Sequence, residues 1–242
     1  MAIVIGSARV DENGKYSGGK AGDQKQKSST NDTRGEVSMQ NFYVHSKGWY
    51  IYRLKDAALA AALASTMKAA CNNSNIGYSQ SQRTGVNSKG TKTTTPTNSD
   101  CSSLVRQCIK EATGKDPGNF TTDTEPAALD RTGLFEARKK YVSATKTPIY
   151  NGDVLVTCSK GHTVIVVSGS PRSKEDKSKY YPAYTGTSVS IATALRAVGE
   201  KDNSYTHRKK IAAANGITNY SGTATQNTQM LKLLKAGKLI KA

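Results

Sequence analysis

Apolar residues along the chain form short runs and helical stripes separated by polar segments, a pattern typical of a mixed fold. Runs with turn residues at their ends predict strands over residues 2–10, 153–158 and 162–168, and the last two should lie side by side and antiparallel. Residues 42–54 concentrate the aromatic side chains on both sides of a Ser-Lys-Gly turn, which predicts a hairpin.

Apolar residues at three- and four-residue spacing predict helices over residues 57–71, 101–112 and 126–131. Asp56 and Asp100 stand where N-cap residues are expected, and Gly114 stands where the second helix should end. Residues 74–100 between the first two helices are so polar that we expect a long loop. Together with the strands, these helices predict an α+β fold class for this part of the chain.

The C-terminal part of the chain has a different pattern. Residues 170–179 hold no large apolar side chain, which predicts a linker that we extend to residue 182. Beyond it, apolar spacing broken at Gly199, Gly216 and Gly237 predicts three short helices. We therefore expect a first domain over residues 1–169, a linker over 170–182 and a small all-α module over 183–242.

The formal net charge of +17 at pH 7 indicates an anionic partner, such as nucleic acid, an acidic membrane surface or an anionic polymer of a bacterial wall. The charges are dispersed and match no known nucleic-acid-binding motif, so specific nucleic-acid binding is not expected. No apolar run reaches the roughly 18 residues that a membrane span needs. The first ten residues lack the basic and apolar regions of a secretory signal.

Four cysteines and three histidines occur without the spacing of a zinc site, so neither a zinc site nor a dense disulfide framework is expected. Cys101 is singled out because it begins a predicted helix, where free backbone N–H groups and the helix dipole favour a thiolate. We expect a lowered pKa for this thiol. Cys108 falls in the apolar stripe of the helix and Cys71 at a helix end, whereas Cys158 is a weaker rival nucleophile.

His162 opens the apolar run of the last predicted strand, and a rigid strand end suits a general base. His45 and His207 are interpreted as surface histidines near turns. With Cys101 as the nucleophile, His162 would complete the pair required for catalysis through an acyl-enzyme.

Three segments resemble the NlpC/P60 cysteine peptidases. Residues 100–105, Asp-Cys-Ser-Ser-Leu-Val, resemble the DCSGLV nucleophile motif, with Ser103 in place of glycine; residues 152–155 and 161–166 resemble the family's Gly-Asp strand and histidine strand. The likeness is closest to catalytic domains of phage peptidoglycan hydrolases, which also carry Gly-Asp-Gln and Ile-Gly-Tyr segments, here residues 22–24 and 76–78. The resemblance implies a papain-like fold and cleavage of an amide bond in peptidoglycan, without metal or cofactor.

The resemblance also implies a third polar residue about a dozen positions beyond His162, but that region is the predicted linker. Asp23 and Gln24 of the N-terminal loop are the remaining candidates, and we assign Asp23 as the third catalytic residue. Tyr78 matches a family tyrosine expected beside the nucleophile. We therefore expect Tyr78 and Gln24 to contact substrate.

Residues 184–242 resemble short terminal segments that follow catalytic domains in phage lysins of Gram-positive hosts, most clearly over residues 208–217. This implies attachment to the wall, and residues 180–242 carry +7 of the net charge. A helical spacer is the alternative.

The resulting expectation is a monomeric, phage endolysin-like peptidoglycan hydrolase. It would be made in the host cytoplasm and reach the wall through a holin or from outside, with peptidoglycan and anionic wall polymers as its partners. A non-catalytic wall-binding protein that keeps the fold, and a basic nucleic-acid binder, are the alternatives.

Overall fold

The computed structural model describes residues 2–25, 31–169 and 179–242, and the chain divides into two compact units, Met1–Arg172 and Ser173–Ala242. The described part of the first unit has an α+β fold. Its strands are β1 (Val4–Ala8), β2 (Val37–Asn41), β3 (Trp49–Tyr52), β4 (Ile76–Tyr78), β5 (Thr97–Ser99), β6 (Lys139–Lys140), β7 (Val154–Thr157) and β8 (Thr163–Ser168). Its helices are α1 (Ala57–Cys71), α2 (Gly85–Lys89), α3 (Cys101–Thr113) and α4 (Glu125–Thr132).

Six of the strands form one antiparallel sheet in the order β2-β1-β8-β7-β3-β6. The predicted pairing of β7 with β8 is confirmed, with Val154 opposite Ile165. Strands β4 and β5 form a separate parallel pair. Because β8 lies in the interior of the large sheet, the residue that precedes it is held in a fixed position.

Both faces of the large sheet are covered. Helices α1 and α3 pack on one face, where Leu63 and Leu104 join Ile165 in the main core. On the other face, Trp49 and Val164 belong to a second cluster. Successive side chains of β8 therefore point into apolar surroundings on both sides, which explains why its sequence is an uninterrupted apolar run.

The predicted ends of the helices are confirmed. The side chain of Asp56 accepts hydrogen bonds from the backbone N–H groups of Ala58 and Leu59 at the start of α1. Asp100 and Ser103 form a reciprocal capping box at the start of α3, and Gly114 ends that helix in the left-handed conformation.

The predicted hairpin over residues 42–54 is wrong. Strand β2 ends at Asn41 and pairs with β1, whereas β3 pairs with β7 and β6. The two halves of this segment meet through side chains instead of a strand ladder: the Trp49 indole N–H donates to the carbonyl of Tyr43, and the two rings meet edge to face.

The prediction of a structureless loop over residues 74–100 is also wrong, since β4, α2 and β5 all lie there. The polar residues of β5 are buried, and hydrogen bonds within the protein replace those that they would make to water. Ser99 Oγ, for example, donates to the carbonyl of Gly77 at 3.2 Å, and the Asn73 side chain donates to the carbonyls of Thr91 and Thr93. Composition alone does not reveal such pairing.

The second unit contains the three predicted helices, α5 (Ile191–Ala197), α6 (Tyr205–Ala214) and α7 (Ala224–Lys235). They enclose a core that includes Leu195, Ile211 and Leu234. Residues 170–178 of the predicted linker lie outside the described residues. Of the rest, Tyr181 is buried in this core and donates its backbone N–H to the carbonyl of Leu239. Within the described ranges of both units, no helix is long and apolar enough to cross a membrane.

Candidate active site

Cys101 and His162 open into the same cavity of the first unit, which has a volume of about 430 Å³. Its walls come from the end of β1, the turns before β3, strand β4, the start of α3 and the residues that lead into β8. The lining residues are Arg9, Val10, Tyr16, Tyr43, His45, Lys47, Tyr78, Gln80, Cys101, Gly161 and His162.

Cys101 is the first residue of α3 and is 9% exposed. Burial, together with the carboxylates of Asp100 and Glu125, raises the pKa of its thiol to about 12, although backbone hydrogen bonds from Thr163 and Ser102 act in the opposite direction. A rise to this value disfavours the thiolate by about 4 kcal/mol, whereas a helix dipole contributes at most about 2 kcal/mol in its favour. The predicted lowering of this pKa is therefore wrong, and the thiol is neutral at pH 7.

His162 directly precedes β8, and its backbone N–H donates to Thr157 Oγ1 at 2.9 Å. Desolvation, with smaller contributions from the positive charges of Arg9 and His45, lowers the pKa of the imidazole to about 4. The ring is therefore neutral at pH 7 and able to accept a proton. Its Nε2 lies 3.2 Å from Ser7 Oγ.

The structure places Ser7 beside the imidazole, where Asp23 was predicted. Ser7 lies in β1, next to β8 in the sheet, and is 1% exposed. The Asp23 carboxylate instead accepts hydrogen bonds from the backbone N–H groups of Lys25 at 2.9 Å and Val37 at 3.3 Å. The sequence offered no signal for Ser7, because a serine within a strand has no distinctive spacing.

Of the two predicted substrate-binding residues, only Tyr78 lines the cavity. The Gln24 side chain donates to the carbonyls of Ala21 and Gly22, which keeps it within its own loop. The Tyr78 hydroxyl accepts a hydrogen bond from the Gln80 side chain at 3.1 Å. Burial and the nearby Cys101 raise the Tyr78 pKa, so its hydroxyl is a neutral group near the thiol.

The Gly-Asp-Gln and Ile-Gly-Tyr segments pack against each other and hold Tyr78 in place. A Cβ on Gly77 would lie 2.1 Å from the carbonyl oxygen of Gly22, so the contact requires glycine. The buried Glu36 joins the two segments by accepting hydrogen bonds from the backbone N–H groups of Gln24 at 2.7 Å and Tyr78 at 2.9 Å. These segments thus support the cavity wall.

The Gly-Asp pair before β7 also has a structural role. Gly152 has a φ of +79°, and a Cβ there would lie 2.1 Å from the carbonyl oxygen of Ala60. The carboxylate of Asp153 accepts two hydrogen bonds from Arg53, at 2.9 and 2.7 Å.

Arg83 anchors the start of α3 and was missed in the sequence. Its Nε donates to Asp100 Oδ2 at 2.6 Å, and its other nitrogens donate to Ser102 Oγ, Asn119 Oδ1 and the carbonyl of Phe120. A single arginine in a polar segment carries no sequence signal for this role. The network fixes the residues on both sides of Cys101.

Glu125 is a fully buried carboxyl group near the thiol. Its Oε1 accepts a hydrogen bond from Thr163 Oγ1 at 2.8 Å, and burial raises its pKa well above the usual range. The backbone N–H of Thr163 also opposes the rise in the pKa of the Cys101 thiol, so Thr163 interacts with both groups.

The remaining cysteines and histidines occupy varied positions. Cys71 and Cys108 are buried core residues, and Cys158 is half-buried. His45 differs from its predicted role as a surface residue, because it lines the cavity and packs edge to face on Trp49. In the part of the chain that the structure describes, no group of three or more His, Cys, Asp or Glu side chains could hold a metal ion.

Comparisons with known proteins identify the family of the first unit. A family model described as an endolysin-like domain matches residues 5–173. An L-alanyl-D-glutamate peptidase of Listeria phage A118 is 65% identical over 37 residues, which are 15% of this chain and 13% of that protein. An endolysin of Listeria phage A511 is 56% identical over 36 residues, 15% of this chain and 11% of that protein. No solved structure was found to match. Because the family model covers well over half of the 242 residues, including Cys101 and His162, the chain belongs to the endolysin-like domain family.

Proposed function

We propose that the first unit hydrolyses an amide bond of bacterial peptidoglycan, with Cys101 as the nucleophile and His162 as the general base. The observation that carries this proposal is that a thiol at a helix start and a neutral imidazole at a strand end line one cavity. Membership of the endolysin-like domain family and the names of the two phage relatives support wall degradation as the reaction.

In this mechanism the proton leaves Cys101 as the sulfur attacks, because the thiol is not ionised beforehand. His162 takes that proton while Sγ forms a bond to the carbonyl carbon of the substrate. In the first turn of α3, the Ser103 N–H already donates to the Asp100 side chain and the Leu104 N–H to the Asp100 carbonyl. The backbone N–H of Cys101 is therefore the candidate for binding the resulting oxyanion. His162 then donates the proton to the leaving amine, which produces the acyl-enzyme.

Water completes the reaction. His162 removes a proton from a water molecule that attacks the thioester, and the thiol is restored when the carboxylic acid product leaves. Ser7 is proposed to orient the imidazole through the contact at Nε2. In this assignment Ser7 takes the place of the acidic residue that was expected from the sequence.

The finer features of the resemblance are also proposals. A nucleophile on a helix that packs against an antiparallel sheet bearing the histidine agrees with a papain-like arrangement. The second unit is proposed to attach the enzyme to anionic wall polymers, supported by 9 Lys and Arg against 2 acidic residues over residues 180–242.

The test is digestion of purified Gram-positive sacculi with the parent protein, Cys101→Ala and His162→Ala, followed by mass spectrometry of the released fragments. Cys158→Ser is the matched control, because it removes a thiol that does not line the cavity. New amino and carboxyl termini made by the parent and the control alone would support the proposal and identify the bond. Equal digestion by Cys101→Ala would refute it.

A non-catalytic wall-binding protein is the second candidate, favoured by the high pKa of Cys101 and by a serine beside the imidazole. It predicts that the parent sediments with sacculi but releases no new termini.

A further inference from the structure

The charged side chains that line the cavity are all cationic. Arg9 and Lys47 are among the lining residues, and no Asp or Glu is found among those that the structure describes there. The two carboxyl groups that act on the thiol already have partners, since Asp100 is paired with Arg83 and Glu125 accepts from Thr163. A bound anion would therefore meet positive charge without an opposing carboxylate in the cavity wall.

Lys47 lies at the rim of the cavity in the turn before β3. Its Nζ donates to the carbonyl of Lys160, and it would lie 3.4 Å from a Cβ built on Gly161. The backbone N–H of Gly161 donates in turn to Thr122 Oγ1 at 3.1 Å, which ties this segment to the body of the unit. The ammonium group is thus held against the backbone that leads directly into His162.

Arg9 supplies a second fixed positive charge. Its guanidinium donates to the carbonyls of Asp32 at 2.5 Å and Gly35 at 3.2 Å, and it also contacts the side chains of Gln40 and Ser38. These contacts hold the group in one orientation, so little side-chain entropy is lost when an anion binds near it.

From this arrangement we infer that the cavity binds peptides carrying a free carboxylate close to the scissile amide, and that Lys47 is the side chain that selects it. The inference rests on the proposed hydrolase function and adds the charge of its substrate. A carboxylate at this position forms a hydrogen-bonded ion pair with the ammonium group, whereas the neutral carbonyl oxygen of a primary amide accepts only a weaker hydrogen bond from it. Exposed rings of Tyr16 and Tyr43 flank the site and offer contact surface to the rest of the peptide.

The experiment uses one preparation of Gram-positive sacculi, half of which is amidated with ammonia and a carbodiimide so that its carboxylates become primary amides. Initial rates of amine release are measured on both halves for the parent, Lys47→Gln, Lys47→Arg and Lys160→Gln. Lys160 is the matched control, because it is exposed, close to Lys47 and outside the cavity lining. Its replacement removes the same charge from the protein.

We expect the parent and Lys160→Gln to prefer the untreated sacculi by about tenfold, which corresponds to about 1.4 kcal/mol. Lys47→Gln should lose this preference, and Lys47→Arg should keep it. General attraction of a basic protein to the wall would leave the preference of Lys47→Gln intact, and that result would overturn the inference. A parent that digests both halves equally would overturn it while leaving the hydrolase function standing, whereas a parent that releases no amine from either would refute both.

Discussion

The neutral state of Cys101 and His162 predicts that the reactivity of this thiol rises steeply with pH. With a pKa of about 12, only about one Cys101 in 100,000 is a thiolate at pH 7. Had the helix start lowered the pKa by about two units from its reference value, most of the thiol would be ionised there. The two situations differ by more than about 10,000-fold in the concentration of the reactive form.

Iodoacetamide alkylation measures this difference because it consumes the thiolate. The intact protein is treated between pH 6 and 9, quenched and digested, and mass spectrometry follows the peptide that contains Cys101. The logarithm of the rate should rise by about one for each pH unit, without a plateau. Cys158 is half-buried and lies outside the cavity lining, so its alkylation in the same sample serves as the internal reference for the activity of the reagent.

A rate that levels off below pH 8 would refute the neutral thiol, since it would show an ion pair between thiolate and imidazolium. His162→Ala provides the second arm. If the imidazole is already neutral at pH 6, its removal should leave the slope of alkylation unchanged while abolishing hydrolysis of sacculi. A large loss of alkylation near pH 6 in this variant would point to the ion pair instead.

Three further predictions concern stability in urea unfolding. The pKa of His162 is lowered to about 4, so as the pH falls below about 6.5 the imidazole is protonated in the unfolded chain before it is protonated in the folded protein. The free energy of unfolding should therefore fall by up to about 3 kcal/mol by pH 4, and it should fall by less in His162→Gln. The pKa of Glu125 is raised, so burial of this group lowers the free energy of unfolding as the pH rises above about 4.5. Glu125→Gln should therefore be more stable than the parent at pH 8 but not at pH 4. Arg83→Met leaves the buried Asp100 unpaired and should cost about 3 kcal/mol, whereas Arg106→Met, from a more exposed pair with Asp116, should cost under about 1 kcal/mol.

The parts of the fold that could be predicted from the sequence are those with local causes. Helices α1 and α3 have their N-cap residues and apolar stripes within a few positions of each other, and β7 and β8 are joined by a short polar turn. Cys101 and His162 could be singled out because each stands at the end of such an element. Local signals also sufficed for the three helices of the second unit.

The rest depends on contacts between distant segments. Strand β1 pairs with both β2 and β8, so Ser7 reaches His162 across 155 positions of the chain. The polar strand β5 is stable only because of its partners. Asp23 was expected near His162, but an acidic residue in a loop can accept hydrogen bonds from many backbone groups, and its carboxylate accepts them from those of Lys25 and Val37.

The charge of the cavity links substrate binding to the strength of the base. The positive charge of Arg9 contributes to the lowered pKa of His162, so it disfavours the imidazolium that forms when Cys101 attacks. A substrate carboxylate held by Lys47 would offset that positive field and raise the proton affinity of the ring. A neutral or amidated peptide would leave the field unchanged. An anionic peptide would therefore be favoured twice, once in its binding at Lys47 and once, by offsetting the charge of Arg9, in the transfer of the thiol proton to His162.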